Sequence, residues 1–151
     1  MQLTKFSDYA LRVLMFAHAA RDRLVTIDEM AASYRISRAH LTKVVNVLTR
    51  AGYLIAVRGR SGGLRLGKPA DEIVLGAVVR ATEPGFALVE CFSTGNQCVI
   101  SDCCRLPIVL DQALNAFLAV LDQHTLRSIA LKPTNFRKSH AQGHANRRAR
   151  H

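Results

Sequence analysis

The chain has 151 residues, a hydrophobic content of 49% and a formal net charge of +10. This length favours one domain, or one small module with an accessory helix, and the hydrophobic content argues against wholesale disorder. No apolar run reaches the roughly 18 residues of a membrane span, and the N-terminal segment MQLTKFSDYALR lacks the continuous apolar stretch of a signal peptide. We therefore expect a cytoplasmic protein with no membrane association.

The positive charge is concentrated in two parts of the chain. Residues 35–68 hold eight Lys and Arg and no Asp or Glu, whereas residues 1–34 have no net charge and residues 69–131 are net acidic. Such a basic stretch inside a folded region is the expected footprint of a polyanion. Residues 132–151 are also basic and polar, and we expect a disordered tail there.

Two helices are predicted before residue 35. Apolar residues recur at helical spacing between Phe6 and Ala17, which predicts a helix over residues 6–20. Thr26 and Glu29 have the spacing of a capping box, so a second helix begins there and runs to about Tyr34.

A third helix is predicted from Arg38 to about Ala51. Ser37 can cap its start, and Gly52 stands where a left-handed terminating residue is needed. Its inward face carries Leu41, Val44, Val45 and Leu48. Polar and basic side chains remain on the outer face.

A β-hairpin is predicted after the third helix. Residues 53–57 and 64–66 read as strands around the glycine-rich turn at residues 59–63. The order of helix, helix, strand, basic turn and strand is that of a winged helix-turn-helix. We therefore predict a mainly α fold with a small β-hairpin wing, in which the third helix enters the major groove and the hairpin contacts the backbone or minor groove.

The candidate DNA contacts are polar and basic side chains of the third helix and the wing. Arg and Asn can make bidentate contacts with guanine and adenine, and basic wing residues suit phosphates or a narrow minor groove. The candidates are Arg38, His40, Thr42, Lys43 and Asn46 of the helix, and Arg58, Arg60, Ser61 and Arg65 of the wing. The alternative is an ordinary solvated basic face.

The second half of the chain carries a loop and a long helix. Residues 73–81 are predicted to form a short strand and helix, and residues 84–104 are predicted to form a loop. A helix follows from about Arg105, and it carries a stripe of Leu110, Leu114, Phe117, Leu118 and Leu121. A small winged domain offers that helix little core to cover, so we interpret the stripe as a dimer interface.

Four segments follow from these elements. Residues 1–68 form the DNA-binding domain, and residues 69–104 form a connecting segment with the cysteine loop. Residues 105–131 form the dimerisation helix, ahead of the tail.

Four cysteines lie close together in the loop, at positions 91, 98, 103 and 104. In a reducing compartment such clusters are more often metal ligands or redox centres than disulfides. Their spacing and the absence of a nearby His do not match a structural zinc site. Three thiolates on a loop suit an iron–sulfur cluster, with a fourth ligand from elsewhere. The alternative is that the thiols are inert.

Three separated motifs resemble one family. LTKFSDYALRVL, RGRSGGLRL and ECF…C…CCRL with the following helical stripe resemble the NsrR-type repressors, within the winged-helix iron–sulfur regulator family that also contains IscR. The resemblance covers about residues 1–130. It implies a homodimeric transcriptional repressor with an oxygen-sensitive [4Fe–4S] cluster, whose nitrosylation by nitric oxide releases operator DNA.

The resemblance also assigns cysteine ligands. Cys91, Cys98 and Cys104 match the three cysteine ligands of the family, in which the third cysteine immediately precedes Arg-Leu. Cys103 departs from that pattern, either as a substitute ligand or as a spare thiol.

A carboxylate ligand is implied as well. Asp8 matches the position that supplies a carboxylate from the first helix of the partner subunit, and Arg12 would orient it from the second shell. From the residues alone, Asp8 and Arg12 form an i,i+4 salt bridge.

Two alternative regulators stay open. The first is an IscR-like iron–sulfur-status regulator, which binds a [2Fe–2S] cluster with a histidine three residues after the last cysteine. This chain has Pro107 at that position. The difference does not decide whether a bound cluster is [4Fe–4S] or [2Fe–2S]. The second alternative is a metal-free DNA-binding regulator that senses oxidation through its thiols. An oxidoreductase or cluster carrier would leave the wing unexplained, and no catalytic motif stands out, so we do not expect an enzyme.

Overall fold

The computed structural model describes residues 2–92 and 95–130. The helices are α1 (Lys5–Ala19), α2 (Ile27–Tyr34), α3 (Arg38–Arg50), α4 (Leu75–Thr82) and α5 (Leu106–Asp122), and the strands are β1 (Leu54–Val57) and β2 (Gly63–Leu66). Short 3-10 turns lie at Glu90–Phe92 and Leu126–Ile129. This order confirms the predicted winged helix-turn-helix with an additional long helix. The predicted tail, residues 132–151, lies outside the described residues.

The core of the N-terminal half is built from the predicted apolar faces. Val13 and Leu14 of α1 are fully buried together with Leu41 and Leu48 of α3. Burying such a side chain contributes about 1.5–3 kcal/mol each. The outer face of α3 therefore stays in solvent because its inner face is committed to this core.

Local signals set the ends of α2 and α3. Thr26 and Glu29 form the predicted capping box. At the end of α3, Gly52 takes a φ of +76°, and the N–H of Tyr53 donates to the carbonyl of Leu48 at 2.9 Å. This is a Schellman termination, as the glycine predicted. Ser37 is the N-cap residue of α3, but its side chain makes no capping hydrogen bond, so that part of the prediction is wrong.

The wing is a two-stranded antiparallel hairpin. Leu54 pairs with Leu66 and Val57 pairs with Gly63. A single bridge between Val25 and Leu64 attaches the hairpin to the segment before α2. At Gly62 a Cβ atom would collide with the carbonyl oxygen of Val57, so the tight turn requires glycine there.

The apolar stripe of α5 packs within the chain. Leu114 and Leu118 are buried against Val79 of α4, and Phe117 and Leu121 are partly buried beside them. The stripe is therefore not the dimer interface that the sequence indicated, because α4 supplies the core that the helix covers. In the part of the chain that the structure describes, no helix is both long and apolar enough to cross a bilayer.

A neighbouring face of α5 is exposed. Leu106, Val109, Ala113, Ala116 and Val120 all lie in solvent, at alternating spacings of three and four residues. That spacing is the a/d pattern of a coiled-coil seam.

Candidate DNA interface and cysteine loop

The predicted DNA contacts all lie on the surface. The five candidates on α3 are exposed, and so are Arg58, Arg60, Ser61 and Arg65 of the wing. The Thr42 hydroxyl donates to the carbonyl of Arg38 at 2.9 Å, so its oxygen is left as an acceptor. The structure thus presents the predicted residues to solvent on helix α3 and on the β-hairpin.

Arg38 forms an ion pair that no sequence pattern indicates. Its Nε lies 3.0 Å from Oδ1 of Asp28, in the first turn of α2. The two residues are ten positions apart and belong to different helices, so no helical spacing rule connects them. Asp28 places an acid next to the start of α3.

Helix α1 contacts both helices of the helix-turn-helix. The ring of Tyr9 lies 6.5 Å from the ring of His40 on α3, centroid to centroid. The Tyr34 hydroxyl of α2 donates to the carbonyl of Arg12 at 3.1 Å. Burial raises the pKa of Tyr34 to about 12, against the opposing effect of the Arg12 cation. Tyr34 therefore remains a donor at neutral pH.

Asp8 is held by Arg12 in a bidentate ion pair. Nε of Arg12 donates to Oδ1 of Asp8 at 2.9 Å, and Nη2 lies 2.9 Å from Oδ2. The Asp8 side chain is 43% exposed. The carboxylate is thus oriented and still accessible from outside the chain.

The start of α1 is tied to the end of α4. The backbone N–H of Thr4 donates to Oε1 of Glu83 at 2.8 Å. The Ser7 and Thr82 hydroxyls lie 2.8 Å apart in a buried contact. The segment that leads to Cys91 therefore leaves from a point anchored to the helix that carries Asp8.

The described part of the cysteine loop is held by local hydrogen bonds from both backbone and side chains. The N–H of Gln97 donates to a carboxylate oxygen of Glu90 at 3.0 Å, and the N–H of Cys104 donates to the carbonyl of Ile100 at 2.9 Å. The thiols are free at Cys91 and Cys104, which are partly buried, and at Cys98 and Cys103, which are exposed. Val99 is 97% exposed, so this part of the loop has no packed core.

The predicted ligands do not converge in this structure. Within residues 2–92 and 95–130, no three His, Cys, Asp or Glu side chains are close enough together to hold one metal ion. Their chemistry nevertheless fits an iron–sulfur cluster, because free thiols are the ligands that such clusters take. Convergence would require rearrangement of the loop, in which Cys98 and Cys103 are exposed and Cys91 and Cys104 are partly buried.

Comparison with known proteins assigns a family. The model of the Rrf2 family, described as "Iron-dependent Transcriptional regulator", matches residues 3–132. The HTH-type transcriptional regulator NsrR of Geobacillus kaustophilus is 50% identical over 131 residues, which cover 85% of this chain and 89% of the relative. NsrR of Bacillus subtilis is also 50% identical, with coverage of 85% and 90%.

Solved structures share the fold. The oxidized form of CymR from Staphylococcus aureus matches with a TM-score of 0.68 and 24% identity, covering 86% of this chain and 96% of that one. IscR of T. potens matches with a TM-score of 0.66 and 22% identity, covering 85% of each chain. With an exposed basic helix α3 and a wing, the chain belongs to the Rrf2 family of transcriptional regulators.

Proposed function

We propose that this protein is a homodimeric repressor that holds an iron–sulfur cluster and releases its operator in response to nitric oxide. The observation that carries the proposal is a set of free cysteines on an exposed loop of a winged DNA-binding protein. Relatives that are 50% identical over most of the chain bear the name NsrR, which supports this proposal.

The proposed cluster ligands come from two subunits. Cys91, Cys98 and Cys104 would hold the cluster as thiolates, and the partner subunit's Asp8 would supply one oxygen. The cluster would be [4Fe–4S] or [2Fe–2S], and when bound it would supply iron that reacts with nitric oxide. Carboxylate oxygen is a harder, less favoured donor than thiolate at such iron, so Asp8 is the weakest of these ligands.

Arg12 would position the Asp8 carboxylate. The bidentate pair uses one donor on each carboxylate oxygen, so ligation requires Arg12 to share or release one of them. A side chain that hydrogen-bonds to a metal ligand fixes the direction of that ligand and tunes how strongly it binds.

The DNA-binding role is assigned to α3 and the wing. The N-terminal half of a recognition helix contacts base edges in the major groove, and that half carries Arg38, His40, Thr42 and Lys43. Arg58 and Arg60 lie at the exposed turn of the wing, where they would meet phosphates or the minor groove. Affinity would then fall steeply with salt, since the contacts neutralise phosphates.

The exposed face of α5 is the proposed dimer seam. Leu106, Val109, Ala113, Ala116 and Val120 form an apolar a/d row that nothing in the described chain covers. We expect α5 of a second copy to cover this row, because pairing of the two helices, antiparallel or parallel, buries the row on both copies. A twofold dimer would present one recognition helix to each of two half-sites, which on DNA lie about 34 Å, or one helical turn, apart.

A metal-free thiol sensor is the second candidate. It rests on the same free thiols, of which Cys98 and Cys103 are exposed and therefore accessible to an oxidant. Iron and sulfide analysis of protein prepared without air separates the two candidates, because only the cluster-bound repressor contains both elements. An IscR-like regulator is disfavoured by Pro107, whose side chain cannot ligate.

The test combines composition with DNA release. Anaerobic native mass spectrometry should give a dimer carrying iron and sulfide, and Cys98→Ala should lose the inorganic mass but remain a dimer. Operator fragments bound by the loaded protein should dissociate after addition of a nitric oxide donor. Equal DNA binding before and after the donor would refute the sensing proposal.

A further inference from the structure

We propose that Asp28 is a specificity-determining residue, which positions the Arg38 guanidinium to read one guanine in each operator half-site. The inference rests on the proposed role of α3 in reading DNA, and it adds a residue that lies on neither α3 nor the wing. Its basis is the ion pair between α2 and the first residue of α3.

The backbone of Asp28 is held in place by its neighbours. The N–H of Thr26 donates to Oε2 of Glu29 at 2.7 Å, and the N–H of Glu29 donates to the Thr26 hydroxyl at 3.2 Å. Nη1 of Arg23 pairs with the other Glu29 oxygen at 2.6 Å. The Glu29 carboxylate is therefore fully used at the start of α2, which leaves Asp28 as the acid of this turn that can reach α3.

The contact selects one edge of the guanidinium. Asp28 Oδ1 lies 3.0 Å from Nε of Arg38, on the side edge of the planar group. The two terminal nitrogens, Nη1 and Nη2, form the other edge, and two parallel donors are what O6 and N7 of guanine accept. An arginine paired through Nε is thus left with the donor pair that guanine recognition requires.

Arg38 stands where base contacts are made. It is the first residue of α3, and in helix-turn-helix proteins the N-terminal residues of the recognition helix contact base edges. A long arginine side chain in solvent samples many rotamers, and each must be given up on binding. An acid that holds the side chain beforehand lowers that cost for the geometry it selects.

Stability does not account for the pair. Both side chains are 70% exposed, and exposed ion pairs of this kind add little to folding. Asp28 also places a negative charge beside a surface that binds phosphates, which weakens attraction to DNA of any sequence. A residue that increases specificity while it weakens general affinity accounts for the exposed ion pair and for the acid beside a basic surface.

The experiment measures base preference in full-length protein loaded under anaerobic conditions. Operators are first selected from random duplex DNA with the wild-type protein, and competition binding then compares each single-base substitution. We expect Arg38→Ala to abolish guanine preference at one position per half-site, a loss of about five- to 150-fold. Asp28→Asn should reduce the same preference by about two- to fivefold, while binding to random DNA stays equal or becomes tighter.

Two controls separate positioning from charge. Asp22→Asn removes the same charge from an exposed site that forms no ion pair with the described residues, and it should leave every base preference unchanged. In the Arg38→Ala background, Asp28→Asn should have no further effect on preference. In protein that retains Arg38, Asp28→Glu should keep part of the guanine preference that Asp28→Asn loses.

Three results would overturn the inference. If Asp28→Asn tightens binding to all sequences equally, Asp28 acts only as a repelling charge. If Arg38→Ala alters no base preference, or if the wild-type protein selects no guanine that depends on Arg38, there is no guanine contact to position. Release by nitric oxide is measured separately on the same complexes, so these failures leave the proposed sensing function standing.

Discussion

Tyr9 on α1 lies against His40 on α3, with ring centroids 6.5 Å apart, and Tyr9 immediately follows Asp8. The proposed cluster ligand and a proposed DNA-contacting residue are therefore separated by one peptide bond and one aromatic contact. A displacement of α1 at Asp8 would move the side chain that supports the outer face of α3. Such a short connection gives the proposed switch a direct physical route.

The Tyr9–His40 contact predicts coupled effects on DNA binding. Tyr9→Leu keeps an apolar residue on α1 but removes the ring, and an aromatic pair is worth about 0.5–1.5 kcal/mol beyond its buried area. We expect operator affinity to fall about two- to tenfold although Tyr9 is not among the DNA contacts. In a double-mutant cycle, His40→Ala and Tyr9→Leu should be non-additive; additive losses would show that the contact does not transmit position.

The cysteines can be distinguished one at a time. Serine at position 91, 98 or 104 should each abolish iron binding, because a hydroxyl is a poor replacement for thiolate at iron. Cys103→Ser is the matched control in the same loop and should keep its full iron content. Iron and sulfide are measured per dimer under anaerobic conditions. Loss of iron in Cys103→Ser, with retention of iron in Cys104→Ser, would show that Cys103 is the ligand and Cys104 is not.

The dimer seam on α5 can be tested with one charge. Ala113→Glu places an unpaired carboxylate in the middle of the apolar row, and an uncompensated buried charge costs about 3–5 kcal/mol. The dissociation constant of the dimer should rise by about 100-fold or more. Asn115→Glu adds the same charge to α5 away from the row and should leave the dimer intact. Analytical ultracentrifugation compares the two variants, and a dimeric Ala113→Glu protein would place the interface elsewhere.

Gly76 allows α5 to pack closely on α4. Both terminal nitrogens of Arg80 pair with the Asp122 carboxylate at 2.7 Å, and a Cβ at Gly76 would collide with that carboxylate. Gly76→Ala should therefore destabilise the wild-type protein. In an Asp122→Ala background the collision with the carboxylate is absent, and the remaining close atom, Nη1 of Arg80 at 3.0 Å, ends a flexible side chain that can move. The same change should then stabilise by up to about 1 kcal/mol through helix propensity. Urea unfolding of the wild-type protein, the two single variants and the double variant measures the effect of Gly76→Ala in each background. Equal effects in both backgrounds would refute the packing explanation.

The same ion pair predicts an acid-sensitive contribution to stability. The hydrogen bond from Arg80 lowers the pKa of Asp122, partly opposed by desolvation. A depressed folded-state pKa gives stability that is present above the usual carboxyl value and is lost as pH falls through the folded value. The stability difference between the wild-type protein and Asp122→Asn should accordingly be largest near neutral pH and shrink below about pH 4. A constant difference down to pH 2.5 would contradict this assignment.

Features that depend on neighbours within a few residues were readable from the sequence. The capping box at Thr26, the glycine that terminates α3 and the buried face of α1 follow from hydrogen bonds and apolar spacing inside a single element. The basic outer face of α3 is predictable for the same reason, because it is the complement of the inner face. The cysteine ligands came from motif resemblance, and the structure leaves them apart.

Contacts between separate elements were not readable in that way. The apolar residues of α5 are spaced equally well for a dimer seam and for packing on α4, and only the position of Val79 shows which face is already covered. Asp28 with Arg38, Tyr9 with His40, and Arg80 with Asp122 meet because helices from distant parts of the chain cross at particular angles. Side-chain periodicity encodes the faces of each helix, but the crossing that joins two faces emerges from packing of the whole core.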